Sequence, residues 1–252
     1  MLGFVAALFM GVSLGLLGGG GGILTVPILV FAYGIPATQA TGLSLLIVGA
    51  TSFFGAIREY LAKKLDLRLT LEMALPAMVG AFSARKWLLP AVPDPIIFAE
   101  WSMEKDRVLL GIFGGIMLIV AWRMLVPPPS EEATSAIPIW LLGLVISAIS
   151  GILGAGGGFL IVPALILANG VDAKTAASSS LAIIAIQSLF GYVGEVGRPI
   201  PLEVLLQMLS GSLIGMFAGL ALRPQVSDTH LKKGFAIFVI LVGLWTLSKV
   251  WA

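Results

Sequence analysis

Two glycine clusters are the residues best suited to bind a ligand. The first lies in the run LLGGGGGILTVP, and the second lies in GILGAGGGFLIVP. Glycine has no side chain to hold a ligand away from backbone N–H groups, and it readily adopts positive φ. N–H groups that converge at the start of a helix attract an anion, because the helix dipole adds partial positive charge there. The sequence therefore predicts a small-anion site at Gly18, Gly20, Gly21, Gly22, Gly154, Gly156, Gly157 and Gly158.

The two clusters are copies of each other. When the sequence is shifted by 136 positions (151 minus 15), residues 15–60 align with residues 151–196. A paired feature at equivalent positions is what a binding site between two structural repeats requires. Identical pairs include Pro27 with Pro163, Ser44 with Ser180, Ser52 with Ser188, and Glu59 with Glu195.

The copies also suggest which backbone features matter. Gly19 aligns with Ala155, so we expect the unbroken run of five glycines to be incidental and Gly19 to be dispensable. Pro27 and Pro163 follow the glycines and remove a backbone donor, which predicts that the prolines help to interrupt their helices.

A polar segment follows each cluster, ATQATGLSLL in the first copy and AKTAASSSLA in the second. Hydroxyl and amide groups can replace the water around an oxyanion without adding a fixed charge. They can equally bond to a neighbouring helix or back to their own helix, and the sequence leaves both roles open. The predicted contributors are Gln39, Thr41, Ser44, Ser178, Ser179, Ser180 and Gln187.

Charged residues lie mostly near the ends of apolar stretches. Glu59 and Glu195 are either solvated helix ends, which is the interpretation that we favour, or groups that couple transport to the movement of a proton. We interpret Arg58, Arg85 and Arg198 as anchors at the membrane interface. Any of these arginines, or Lys174 at the start of its span, could also draw an anion to the mouth of a cavity.

The composition is that of a membrane protein, since 58% of the 252 residues are hydrophobic and only 11% are charged. Windows of about 20 apolar residues recur, and each can cross a hydrocarbon core about 30 Å thick. There is no cysteine and only one histidine, so we expect no disulfide, metal site or cofactor. No nucleophile, base and orienting group occur together, which argues against an enzyme. No basic patch suggests a nucleic-acid partner.

The sequence predicts an all-α polytopic membrane protein of two homologous halves, each with four hydrophobic elements. Residues 1–126 form the first half and residues 137–252 the second, with the linker PPPSEEATSA at 127–136. The first half carries an insertion at about 94–106, which we interpret as an interfacial loop or a short surface helix. Outside the clusters, spaced glycines predict close helix packing at Gly11, Gly15, Gly111, Gly115, Gly211, Gly215 and Gly219.

The first element of each half is too long for one simple crossing. It is either a broken helix that crosses, or a hairpin that turns at the glycines and leaves on the same side. The hairpin leaves three crossings per half, an odd number that makes the halves inverted repeats. We predict this arrangement, because it places most of the 15 Lys and Arg residues on one side of the membrane.

The duplicated motif G-x-GGG-x4-P, followed by a helix rich in Ser and Thr, resembles the TauE/SafE family of bacterial inner-membrane proteins. This is the sulfite exporter and toluene-sulfonate uptake permease group. The resemblance is carried by GLLGGGGGILTVPIL and GILGAGGGFLIVPAL. It implies transport of small sulfur-containing anions such as sulfite, sulfoacetate or other organosulfonates, driven by an ion gradient of protons or sodium.

Residues and resemblance together predict a secondary transporter that binds an anion at the two glycine breaks. The alternatives are a passive anion channel and a non-transporting membrane subunit that uses its glycine-rich faces for assembly. The substrate, the direction of transport and the oligomeric state do not follow from the sequence.

Overall fold

The computed structural model describes residues 2–98, 101–126, 138–154, 156–195 and 200–251. The predicted linker at 127–136 lies outside the described residues, as do Ala155 and Arg198. Within the described ranges, helices account for nearly all of the chain.

The first half contains α1 to α6 and the second half α7 to α11. The elements of the first half are α1 (Leu2–Leu17), α2 (Gly20–Phe31), α3 (Ala37–Leu61), α4 (Leu67–Ser83), a π-helical turn (Ala84–Leu88), α5 (Leu89–Ala91), β1 (Ile96–Phe98), β2 (Trp101–Met103) and α6 (Lys105–Leu125). Those of the second half are α7 (Ile139–Leu153), α8 (Gly158–Asn169), α9 (Ala173–Val193), α10 (Leu202–Leu222), a 3-10 turn (Arg223–Gln225) and α11 (Asp228–Trp251).

Six helices of the described chain are long and apolar enough to cross a membrane, three in each half. Large apolar side chains such as Phe9 and Trp122 remain 65% and 69% exposed on helix surfaces. Such side chains suit a lipid environment, in which helices satisfy their own backbone groups. The prediction of an all-α polytopic membrane protein is confirmed.

Each long first element is divided at its glycines into two short helices. In the first half these helices fold back on each other, because Thr25 Oγ1 donates a hydrogen bond to Met10 Sδ at 3.1 Å although the residues are 15 positions apart. A continuous helix would separate their Cα atoms by about 22 Å. Gly21 also packs against Met10 and Leu14. The first element is therefore a hairpin.

The two halves interlock through equivalent helices. The first helix of each half packs along the fourth helix of the other, α1 with α10 and α7 with α4. Gly11, Gly15, Gly211, Gly215 and Gly219 make the α1–α10 contact, where an added Cβ would collide with the backbone of the other helix. The packing predicted for these glycines is confirmed.

Gly111 and Gly115 behave differently from the other spaced glycines. An added Cβ at either position would meet nothing within 4 Å among the described residues. The prediction that they pack another helix is wrong, because they face outward from α6.

The central helices α3 and α9 are equivalent and run antiparallel. Gly42 lies beside Glu195 at one end, Gly49 beside Leu189, and Gly55 beside Leu181 toward the other end. The equivalent helices α6 and α11 also pack together. Antiparallel equivalents are expected of inverted halves, and the orientation of the halves in a membrane stays a prediction.

The insertion of the first half forms a small β-hairpin. Strands β1 and β2 pair antiparallel, with Ile96 opposite Met103 and Phe98 opposite Trp101. The alternative of a short surface helix is therefore wrong. The β-branched and aromatic residues of IIF and WSM favour extended backbone over helix.

Candidate functional site

The two glycine breaks meet inside the protein. The chain turns at Gly18, with a φ of 78°, and at Gly154, Gly156 and Gly157, with φ values of 71°, 65° and 71°. Across the breaks the backbone of Gly19 touches that of Gly158, so that a Cβ on either residue would clash. The expectation that Gly19 is dispensable is therefore wrong, because its contact partner belongs to the other half.

Equivalent glycines contact equivalent residues on the polar helices. Gly18 lies against the Cα of Ala177 in α9, and Gly154 lies against the Cα of Thr41 in α3. Each break is thus seated on the central helix of the opposite half. The absence of side chains at these glycines permits the close approach.

The contact brings two helix N-termini together. Helix α2 begins with Gly20, Gly21 and Gly22, while Gly157 caps the start of α8 at Gly158. First-turn N–H groups have no acceptor within their own helix, and each N-terminus carries about half a positive charge. The atoms nearest to the described glycines of the breaks belong to no acidic side chain. The N-terminal ends of α2 and α8 therefore each contribute positive partial charge to the contact.

The prolines lie beyond the breaks. Helix α2 continues through Pro27 to Phe31, and α8 continues through Pro163 to Asn169. A proline removes one backbone donor, but its φ is compatible with a helix on either side. The role given to the prolines is corrected, since the interruptions lie at the glycines.

Several of the predicted polar residues bind the protein itself. Ser44 Oγ donates to the carbonyl oxygen of Gly154, and Gln187 Nε2 donates to that of Gly156 at 2.5 Å. Thr41 and Ser180 bond back to carbonyls three residues earlier in their own helices. Ser44 and Gln187 thus support the backbone of the second break, whereas Thr41 and Ser180 bond within their own helices. These are the interhelical and local roles that the sequence left open.

The remaining predicted residues lie on the central helices, close in sequence to Thr41 and Ala177, on which the breaks are seated. Ser179 Oγ accepts a hydrogen bond from Asp66 N at 3.2 Å, beyond the end of α3. Gln39 is half-buried in the first turn of α3. Ser178 is part of an ion-pair cluster described below.

Two equivalent serines that were not among the predicted ligands are buried, and one of them lies close to a break. Ser52 and Ser188 are 0% exposed, and neither hydroxyl has a hydrogen-bond partner among the described residues. Ser188 Oγ lies 3.4 Å from the position that a Cβ of Gly156 would occupy. Their identity in the two copies was the signal that could have identified them.

Glu59 is held in a buried cluster between the halves. Its Oε2 accepts a hydrogen bond from Ser178 Oγ at 2.5 Å and lies 3.3 Å from Arg223 Nη1. Arg223 Nη1 also donates to Ser178 Oγ at 2.9 Å. The side chains of Glu59 and Arg223 are only 4% and 5% exposed, so Glu59 is not a solvated helix end.

Glu195 forms the equivalent pair with Arg85. Glu195 Oε2 lies 3.3 Å from Arg85 Nη2, with the side chains 8% and 0% exposed. Neither the solvated end predicted for Glu195 nor the interfacial anchor predicted for Arg85 is correct. Each carboxylate is desolvated and stabilised by an arginine of the other half, a pairing that single-helix patterns do not reveal.

A basic cavity opens beside the Glu59 cluster, and we name it the basic vestibule. Its volume is about 400 Å³, and it is lined by Lys63, Lys64, Lys174, Thr175, Ser178, Arg223 and Pro224. Asp172 lies just before Lys174 and accepts from Thr175 N at 2.9 Å. Burial alone would raise the pKa of Asp172, but hydrogen bonds from Thr175 outweigh it and leave the pKa below its usual range.

Spanning helices around facing helix breaks, with charged groups buried between two repeats, are typical of membrane transporters. Comparison with known proteins agrees. Residues 3–246 match the family described as sulfite exporter TauE/SafE, and the chain belongs to this family. It is an integral membrane protein of a transporter family and not an enzyme.

Three relatives that match over nearly their whole length are all described as probable membrane transporter proteins. A probable membrane transporter protein of Xylella fastidiosa (strain 9a5c) is 29% identical, over 96% of this chain and 93% of the relative. A probable membrane transporter protein of Methanocaldococcus jannaschii is 24% identical, over 96% and 93%. YdhB of Bacillus subtilis, also a probable membrane transporter protein, is 21% identical over 98% of this chain and its own full length.

Proposed function

We propose that the chain is a secondary transporter for a small sulfur-containing oxyanion or organosulfonate, such as sulfite or sulfoacetate. The anion would bind between the helix breaks, at the first-turn N–H groups of α2 and α8. The observation that carries this proposal is the contact between Gly19 and Gly158, which sets two helix N-termini against each other. The family description supports a sulfur oxyanion as the class of substrate.

An oxyanion would relieve two unfavourable features of the contact. Two positive helix ends repel each other, and a negative charge between them would stabilise both. A buried hydroxyl without a partner is costly, and Ser188 Oγ could donate to an anion held near Gly156. We expect Ser52 to act in the same way near Gly20, by the equivalence of the two copies.

Transport would require the halves to move apart at the breaks. The backbones of Gly19 and Gly158 touch in this conformation, so an anion enters only if the contact opens. Rocking of one repeat against the other would open it alternately to the two sides of the bacterial cytoplasmic (inner) membrane. Glu59 and Glu195 remain candidates for coupling to a proton or sodium ion, because each is buried at a junction of the halves.

Flux of radiolabelled sulfite into proteoliposomes tests the proposal. We expect Gly20→Leu and Gly156→Leu to abolish flux, and Ser188→Ala to lower it about tenfold by removing one donor to a charged group. Because Ser188 Oγ has no partner among the described residues, Ser188→Ala should not lower the melting temperature. Gly111→Ala is the control, since the added Cβ would meet no atom of the described residues within 4 Å.

Normal flux in Gly156→Leu and Ser188→Ala would contradict the proposed site. Counterflow distinguishes a carrier from a passive channel, because only a carrier accelerates uptake when unlabelled sulfite is preloaded inside the vesicles. If no anion of a sulfite, sulfate, sulfoacetate and taurine panel is bound or carried, the chain is an assembly subunit instead.

A further inference from the structure

We propose that Ser178 and Arg223 form a second anion site at the floor of the basic vestibule, which Glu59 occupies in this conformation. A small oxyanion that enters the vestibule exchanges with the Glu59 carboxylate. This inference deepens the transport function proposed above and rests on it for the class of anion. It assigns the vestibule as the place where the substrate is first bound.

The Glu59 carboxylate is itself an oxyanion in a set of hydrogen-bond donors. A single oxygen, Oε2, receives the Ser178 hydroxyl at 2.5 Å and faces Arg223 Nη1 at 3.3 Å. Both donors suit a sulfite or sulfonate oxygen equally well, because a planar guanidinium and a hydroxyl bind oxyanions by the same charge-assisted hydrogen bonds. The internal carboxylate and a free anion therefore compete for the same atoms.

Positive charge in and near the vestibule exceeds the negative charge of Glu59 and of the neighbouring Asp66 and Asp172. The described lining contains Lys63, Lys64, Lys174 and Arg223 and no carboxylate. Arg58 is close enough to act electrostatically on Arg223. Its Nη1 is buried and has no hydrogen-bond acceptor among the described residues. A cavity lined by charge of one sign concentrates ions of the other sign and guides them to its floor.

Arg223 connects the vestibule to the first glycine break. Its Nε donates to the carbonyl oxygen of Leu16 at 3.1 Å, and its Nη2 donates to that of Gly15. These carbonyls lie in the last turn of α1, directly before Gly18. An anion that takes Nη1 from Glu59 therefore binds a side chain that already holds the end of α1, next to the proposed central site.

The equivalent pair in the other half lacks the same features. Ser178 aligns with Gly42, which lies beside the Glu195 carboxylate and itself offers no hydroxyl donor. The basic vestibule contains neither Arg85 nor Glu195. The Arg85–Glu195 pair is therefore a matched control within the same chain.

Binding of sodium sulfite to the purified full-length protein, with sodium chloride at equal ionic strength as the reference, tests the assignment. We expect Ser178→Ala to raise the dissociation constant about tenfold, because a donor to a charged group is lost. We expect Glu59→Gln to lower the dissociation constant about threefold or more, because the competing carboxylate is removed. Sulfite should also raise the melting temperature of Glu59→Gln more than that of the wild type, since it replaces the lost partner of Arg223.

Glu195→Gln should leave the dissociation constant within about twofold of the wild type, because the competing carboxylate of the vestibule is retained. Binding is compared at one pH and one sodium concentration with no ion gradient, so that a coupling role of Glu195 does not enter the comparison. The inference is overturned if Ser178→Ala binds sulfite normally, or if Glu59→Gln and Glu195→Gln change binding alike. If the Glu59–Arg223 pair were purely structural, Glu59→Gln would bind sulfite more weakly, whereas the proposal expects it to bind sulfite more tightly. Sulfite flux through the wild type distinguishes the two proposals. If the wild type transports sulfite but the variants bind it normally, only the vestibule site is contradicted. If the variants show the expected changes in binding but the wild type transports no sulfite, only the transport function is contradicted.

A lipid headgroup carries similar oxyanion chemistry, so binding is measured in nanodiscs of phosphatidylcholine and of phosphatidylglycerol. Ser178 is only 2% exposed at the cavity floor, which favours a small free anion over a headgroup held at the membrane surface. We expect the Ser178→Ala effect on sulfite in both lipids. The assignment would be overturned if Ser178→Ala changed only the binding of phosphatidylglycerol to the protein and left sulfite binding unchanged.

Discussion

Among single residues, Lys63 occupies a backbone conformation that glycine normally supplies. It follows the end of α3 with a φ of 56°, and Lys64 N donates to Glu59 O at 3.0 Å, as in a Schellman cap. A side chain in the left-handed region costs about 1 kcal/mol. Lys63 also lines the basic vestibule. The residue with the strained backbone is therefore one that supplies positive charge to this cavity.

Replacement of Lys63 by glycine should separate stability from function. We expect Lys63→Gly to unfold with a free energy about 0.5–1 kcal/mol higher than the wild type, because the left-handed strain is removed. Sulfite flux should fall and depend less on ionic strength, because a steering charge is lost. Thermal unfolding and flux across a salt series measure the two effects.

Lys64→Gly is the matched control, since it removes the same charge from a residue that does not have positive φ. It should lower flux to a similar extent without stabilising the fold. Equal melting temperatures for Lys63→Gly and Lys64→Gly would contradict the role assigned to backbone strain.

At the scale of elements, the contact between α1 and α10 depends on glycines that leave no room for a side chain. Gly11→Ala should destabilise the protein by about 1–3 kcal/mol, because the Cβ would meet the Ser212 carbonyl and force the helices apart. Gly111→Ala should stabilise it by up to about 1 kcal/mol, since alanine is the better helix former and the position is open. Thermal unfolding of the two variants measures the contrast, and equal shifts would contradict it.

The elements differ in how far the sequence determines them. The long spans were predictable because an apolar stretch with charged ends is a local property, as in α3 and α9. The breaks were also predictable, since glycine clusters act on their own backbone. The partners of Glu59 and Glu195 were not predictable, because Arg223 and Arg85 come from the other half of the chain.

For the whole molecule, we predict that the two halves have opposite orientations in the membrane. Lys64 and Ile200 follow the equivalent helices α3 and α9, and both are exposed. If the halves are inverted, these positions lie on opposite sides of the membrane. The chain contains no cysteine, so Lys64→Cys and Ile200→Cys each introduce a single thiol.

We expect a membrane-impermeant maleimide to label one of the two thiols only in right-side-out vesicles and the other only in inside-out vesicles. We expect Lys64→Cys to react from the cytoplasmic side, where the inverted arrangement collects most of the Lys and Arg residues. Labelling of both variants from the same side would show parallel halves and contradict the prediction. Full labelling after detergent treatment is the control for reactivity.

The difference between Ser178 and Gly42 bears on direction. A dimer of two identical repeats, packed as these halves are, would present the same residues at both ends and could favour neither. Fusion of the repeats into one chain allows each end to diverge, and here Ser178 bonds to the carboxylate at one end where Gly42 lies beside the carboxylate at the other. The two mouths of a duplicated carrier can thus hold the same anion with different affinities, so that loading and unloading are tuned separately.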